Sequence, residues 1–114
     1  MIDGSWVSCV VNVSSSNTLS EEADLGRTYQ SMMAVLPTLT ATAVAVKVAM
    51  NSGGTYYSLY TTNIDGSPET VSTDENVTTG FAWDVPIGGF QYVKLLCSNA
   101  QAANRTFYLK GVRS

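Results

Sequence analysis

The sequence predicts an all-β fold, a single antiparallel β-sandwich or jelly roll of seven or eight short strands. Apolar and polar residues alternate with a period of two through most of the chain, and these runs are rich in β-branched and aromatic side chains. Gly, Asn, Asp and Pro cluster between the runs, as expected of turns. No long segment has the 3.6-residue period of an amphipathic helix. The 114 residues fit one domain.

The first half of the chain holds the clearest strands. Residues 6–13 alternate, and residues 29–37 carry apolar side chains on both faces, which predicts a central or covered strand. Residues 40–50 place Val44 and Val46 on one face, with smaller or polar residues opposite. Period two over so many β-branched positions predicts a strand there.

The second half continues the pattern with shorter runs. Further strands are predicted at 55–62, 69–77, 80–85, 91–98 and 105–112. Turns are predicted at 51–54, 63–68 and 86–89, and single helical turns at 18–21 and 98–104.

Composition excludes several classes of function. There are six Lys and Arg against nine Asp and Glu, a net charge of −3, and no basic stripe to bind nucleic acid. No run approaches the ~20 apolar residues of a membrane helix, and no secretory signal is recognisable. Cys9 and Cys97 lie in apolar runs and are predicted to be buried thiols, with a disulfide between them as the alternative.

The chain offers little catalytic chemistry. It has no His, so a Ser or Cys nucleophile would lack its usual base, and transition-metal ligands are too few for a site. The acidic residues sit mostly in turn-rich segments, and only calcium could use such oxygen ligands. The carboxylates considered are Asp65, Glu69, Asp74, Glu75 and Asp84. We therefore predict no catalytic residue, no cofactor and no metal site, and expect a protein that is not an enzyme.

Aromatic side chains are the remaining candidates for function. Tyr56 and Tyr60 share one face of a strand, with Tyr57 on the other, so one face must leave aromatic rings outside the core. Trp83 and Trp6 lie in other strand-like runs. We take Tyr56, Tyr60, Trp83 and Trp6 as interface candidates. The alternative is that these rings only stabilise the sheet or the core.

From residue 24 onward the sequence of elements resembles a known group of proteins. The residues that carry the resemblance are 24–26 (DLG), 33–37 (MAVLP), 43–49 (AVAVKVA), 54–60 (GTYYSLY), 90–98 (FQYVKLLCS), 101–102 (QA) and 104–109 (NRTFYL). They resemble small β-sandwich proteins encoded among the structural genes of tailed bacteriophages. The last two strands also look like the closing hairpin of galactose-binding-like domains, although the sequence has no clear Arg, Asp and aromatic pocket for a sugar.

The resemblance implies a virion structural protein, most simply a capsid cement or decoration protein that binds and stabilises the shell. Its expected partner is the major capsid protein or another virion protein, and a homo-oligomer is expected. It would be made in the host cytoplasm and located on the capsid surface. Residues 1–5 would be either an arm that orders on docking or a frayed terminus. Two alternatives stay open: a carbohydrate- or receptor-binding module, and a tail, neck or fibre-attachment component.

Overall fold

The computed structural model of the chain describes residues 4–11, 19–62, 65–73 and 77–112. Within them the regular secondary structure is entirely β, and all strand pairs are antiparallel, which confirms the all-β prediction. The strands are β1 (Val7–Val11), β2 (Ala23–Leu36), β3 (Val44–Ala49), β4 (Tyr57–Ser58), β5 (Tyr60–Thr62), β6 (Pro68–Thr70), β7 (Phe81–Cys97) and β8 (Arg105–Val112).

Two long strands organise the main sheet, whose order is β1-β8-β2-β7-β3-β4, while β5 and β6 form a separate hairpin. β2 pairs with β7 over residues 31–36, at Tyr29, which lies opposite Phe90, and again at residues 23–24. The register shifts on each side of Tyr29, and the bulged segments contain Gly26, Gly88 and Gly89, all with positive φ. Bulges bend and twist a strand, and glycine adopts these angles without strain. The sheet therefore folds over at the bulges.

Backbone hydrogen bonds bring the two ends of the folded sheet together. Glu21 N donates to Val10 O of β1 at 3.0 Å, and Ser20 N donates to Leu95 O of β7 at 2.8 Å. We call β1, β8 and residues 31–36 and 81–86 of the long strands the first layer. The second layer comprises β3, β4 and residues 19–24 and 91–97. The result is a sandwich-like arrangement in which both layers share β2 and β7.

Alternate residues of both layers point inward and form one core. Its largest fully buried side chains are Phe107, Met32, Leu36, Ile87, Leu95, Leu109, Val11, Val44, Val46, Val48, Val85 and Val93. Cys9 and Cys97 are buried in the same core as free thiols, as predicted, so the alternative disulfide is absent. Burial raises the pKa of each thiol to about 11.

Several predicted boundaries are wrong. The turn expected at 86–89 is a bulge inside the continuous strand β7, and β2 begins at Ala23 instead of residue 29. Of the helical turn predicted at 18–21, residue 18 lies outside the described residues, and Leu19 forms an antiparallel bridge with Leu96. Residues 98–104 form bends without a helix, because buried Gln101 bonds both backbone groups of Thr40. The 51–54 turn and β8 are confirmed.

Candidate functional site

A cluster of hydrogen bonds centred on Glu22 fixes the turn between β3 and β4. Ser52 Oγ donates to Glu22 Oε2 at 2.6 Å, and Gly53 N donates to Oε1 at 2.9 Å. The Tyr56 hydroxyl donates to the same Oε1 at 2.5 Å. These three bonds, that from Ser52 first, lower the pKa of Glu22 because they stabilise its charged form. Glu22 is thus an ionised acceptor at neutral pH.

Tyr56 is held by a second contact on its ring. Lys94 Nζ lies 4.7 Å from the ring centroid, within the range of a cation–π interaction. Burial, and then the hydrogen bond to Glu22, raise the pKa of Tyr56, so its phenol stays protonated. The Tyr56 phenol donates its proton to a hydrogen bond that the Glu22 carboxylate accepts. This geometry stabilises a turn and leaves no group poised for proton transfer.

Asp24, on the same outward side of the second layer, makes a second group of polar contacts. Asp24 Oδ1 accepts hydrogen bonds from Gly26 N and from Gln91 Nε2, each at 2.8 Å. The bond from Gln91 joins β7 to β2, and the bond from Gly26 lies within β2 at the bulge. We call this surface, with Glu22, Asp24, Lys47, Tyr56 and Lys94, the polar face.

The outward side of the first layer has a different character. Strand register places Tyr108 beside Val35 and Val35 beside Ala82 in one row across β8, β2 and β7. Tyr108 is 49% exposed and Val35 38% exposed, although both lie on strands with neighbours on either side. We call this outward surface of β1, β8, β2 and β7 the apolar face.

A second row of the apolar face contains its two charged residues. Lys110 of β8 pairs with Met33 of β2, and Met33 pairs with Asp84 of β7. Trp6 directly precedes β1, the strand on the opposite side of β8 from β2, and it is 51% exposed. Lys110 Nζ lies 5.8 Å from a ring centroid of Trp6. In the described part of the chain Asp84 makes no ion pair with Lys110, since two strand spacings of about 4.8 Å separate their strands.

Exposed tyrosines occur at one further place, where the chain passes from β4 at the edge of the main sheet into β5. Tyr57 is 54% exposed and Tyr60 57% exposed, while Leu59 between them packs against the core. Leu59 N donates to Val46 O at 3.0 Å, which anchors this segment to β3. We call Tyr57 and Tyr60 the tyrosine edge.

The four interface candidates from the sequence are placed on different elements. Tyr60 and Trp6 are exposed and offer ring surface to a partner, whereas Tyr56 is half-buried in the Glu22 cluster and Trp83 packs partly buried against the core. Sequence reasoning passed over Tyr108, although the alternation of residues 105–112 already indicated that it faces away from Phe107.

Metal-ligating groups do not gather in the described residues. No group of three His, Cys, Asp or Glu side chains there could hold a metal ion. Asp65 accepts bonds from the backbone nitrogen and the hydroxyl of Ser67, which lower the pKa of Asp65 and close a turn. Asp74 and Glu75 lie outside the described residues. None of the described residues forms a helix long and apolar enough to cross a membrane.

Comparison with known proteins finds a likeness in fold and none in sequence. No family model matches it, and no curated protein matches it in sequence. Its fold is similar to that in a crystal structure of the SPBc2 prophage-derived protein YomS, with a TM-score of 0.55 and 18% sequence identity. The likeness covers 97% of this chain and 95% of that protein. A prophage-derived protein therefore has the same fold over nearly its whole length.

Proposed function

We propose that this chain is a non-enzymatic structural protein of a phage particle, and that it acts as a capsid cement or decoration protein by binding the shell. The observation that carries the proposal is the set of large apolar side chains exposed on the β strands or directly next to them. They are Trp6, Val35, Met50, Tyr57, Tyr60, Phe81 and Tyr108. Exposed aromatic side chains on a rigid scaffold are typical of protein-binding surfaces. The fold shared with a prophage-derived protein agrees with a phage origin.

The tyrosine edge is the surface we assign to the shell contact. Tyr57 and Tyr60 can be covered by a partner at little entropic cost, because each tyrosine has only two side-chain torsions to fix. Charge is sparse over the whole chain, so little charge has to be desolvated when a partner docks. On a symmetric shell many copies bind at once, and weak single contacts together stabilise the particle.

The proposal is tested on particles of the phage or prophage that encodes the chain. Particles lacking the protein are expected to assemble but to lose their shells on heating or osmotic shock, and added purified protein should restore stability. Particles that are equally robust with and without the protein would reject the cement function. Copy number separates cement, with hundreds of copies on the shell, from a tail, neck or fibre-attachment component, with a handful at one vertex.

The contact surface is tested with a matched pair of variants. Replacing Tyr57 and Tyr60 together by Ala should weaken binding to stripped particles about 10-fold or more, since buried tyrosines often dominate an interface. Replacing both by Phe keeps the rings and should retain most of the affinity. Equal binding by the two double variants would exclude the tyrosine edge as the contact.

A glycan-binding role is the second candidate, and one observation favours it. Tyr60 pairs with Thr70 across β5 and β6, so an exposed ring is flanked by hydroxyl groups that could bond a sugar stacked on it. Binding to a glycan array that Tyr60→Ala abolishes would favour this role over cement.

A further inference from the structure

We infer that the apolar face binds a second copy of this chain, with the two faces packed together about a twofold axis that runs along β2. The inference does not use the tyrosine edge, the surface assigned to the shell contact, because it involves neither Tyr57 nor Tyr60. It follows from three properties of the face: the position of its charges, the sizes of its side chains and its area.

The charges are arranged for self-pairing. Lys110 and Asp84 occupy one row on either side of Met33, one strand away on β8 and one strand away on β7. A twofold axis along β2 exchanges these two flanking positions between copies. Lys110 of each copy then faces Asp84 of the other, which gives two reciprocal ion pairs. The paired segments of β8, β2 and β7 form this part of the apolar face. Within their described residues, Lys110 and Asp84 are the only charged side chains that face outward.

The side-chain sizes are complementary under the same symmetry. In the neighbouring row the large Tyr108 and the small Ala82 flank Val35. The axis places Tyr108 of one copy over Ala82 of the other, while the two Val35 side chains meet on the axis. Because a large side chain lies opposite a small one on each side of the axis, the two sheets can interdigitate at the usual spacing of about 10 Å.

The area of the face suits only a weak, reversible dimer. The face comprises five residues of β1, eight of β8 and six each of β2 and β7, which at about 4.8 Å by 3.3 Å per residue give about 400 Å² per copy. Two copies would therefore bury on the order of 800 Å², which is the size of a transient contact and not of a permanent interface. The dimer should thus depend on protein concentration.

Charge reversal tests the pairing. Sedimentation of the purified full chain from about 1 to 300 μM should show a monomer–dimer equilibrium, in keeping with a small interface. Lys110→Glu and Asp84→Lys, each alone, should weaken dimerisation at least about tenfold because each creates two like-charge contacts. Mixing the two variants in equal amounts should restore dimers, since every contact in the mixed dimer joins opposite charges.

The outcomes of this experiment are decisive in each direction. Lys47→Glu reverses a charge on the polar face and should leave the dimer unchanged, which makes it the matched control. Circular dichroism verifies that each variant is folded. A wild type that is monomeric at all concentrations overturns the inference. So does a dimer that survives either reversal, or two folded variants that do not associate on mixing.

A cross-link locates the axis independently of charge. Val35→Cys places a thiol on the proposed axis, so a short bismaleimide should join two copies in high yield. Ser8→Cys lies in the same row, two strands from β2, and its partner would be about 20 Å away. The native thiols Cys9 and Cys97 are buried and give little background. Equal cross-linking at Val35 and Ser8 would contradict the axis.

Discussion

The two layers share β2 and β7, yet their outward faces differ in how their polar and aromatic groups are used. Tyr56 on the polar face gives its hydroxyl to Glu22 and its ring to Lys94. Tyr108 lies in the middle of β8 on the apolar face, its hydroxyl bonds no group within the described residues, and it is 49% exposed. The contrast teaches that residue type does not distinguish a hydrogen-bonded tyrosine from an exposed one; the neighbouring residues do.

The largest effect is expected at Gly111, where the first layer closes over Tyr29. A Cβ at this position would overlap the ring of Tyr29, which is 4% exposed. Gly111→Ala should therefore lower the free energy of unfolding by about 3 kcal/mol or more, as overpacking does. Urea denaturation measures it. Gly66→Ala, at a positive φ with open space around it, should cost only about 1–2 kcal/mol.

A rescue experiment separates overlap from backbone strain at Gly111. In the Gly111→Ala background, Tyr29→Leu removes the overlapping ring and should recover part of the lost stability. If Gly111→Ala costs no more than Gly66→Ala, the packing of the first layer over Tyr29 is looser than the structure shows.

An intermediate effect is expected at Glu22, which holds the polar face together. Glu22→Gln should cost about 1 kcal/mol at neutral pH, because a charged acceptor of three bonds is lost at a partly exposed site. The pKa of Glu22 is lower in the folded chain than its ordinary value of 4.5. Its contribution is therefore complete above pH 4.5 and is lost as the pH falls through the folded pKa.

The measurement is the stability difference between wild type and Glu22→Gln across pH. The difference should be constant from pH 7 to about pH 5 and should narrow in more acidic solution. Glu21→Gln changes a neighbouring carboxylate that accepts none of the bonds from the turn, and it serves as the control. A stability difference that does not change with pH, or that is the same for Glu22→Gln and Glu21→Gln, would contradict the stabilising role of the Glu22 cluster.

An effect of similar size compares the two faces directly. Tyr56→Phe removes the hydroxyl that bonds Glu22 and should cost about 1 kcal/mol. Tyr108→Phe removes a hydroxyl exposed to water and should change stability by less than about 0.5 kcal/mol. Thermal unfolding of both variants measures the difference. Equal losses of stability in the two variants would show that the hydrogen bond from Tyr56 to Glu22 contributes no more than the exposed hydroxyl of Tyr108.

The smallest expected difference is that between the two thiols. Cys9 lies in the first layer and Cys97 in the second, and burial raises the pKa of both to about 11. Because the layers share two strands, they should unfold together, and both thiols should react with a maleimide at the same slow rate. A rate that differs by more than about tenfold would mean that one layer opens alone.

How far the sequence predicts this structure depends on the range of the interactions. Alternation located β3 and β8 well because the period of two is a local property. The residues Pro86 to Gly89 predicted a turn, since turn residues have the same local signal whether the chain reverses or bulges. Pro86 lies in register with Ser31, a contact that no local pattern encodes.

The candidate sites show the same limit. The Glu22 cluster joins residues 30 to 34 positions apart, so composition and spacing gave no sign of it. Trp6 and Tyr60, which were selected from the sequence, are exposed, and their role as interface residues stays a prediction. The apolar face required knowing which strands are neighbours, because its rows combine residues from β8, β2 and β7.

The paired bulges at Gly26 and at Gly88–Gly89 also decide how the molecule responds to mechanical load. The backbones of β2 and β7 run unbroken through the corner between the layers. A force applied along the strands at β3 and β8 would pass through the hydrogen bonds of β3 to β7 and of β8 to β2 and then through this covalent corner, so we expect those hydrogen bonds to be sheared as a group instead of opening one at a time.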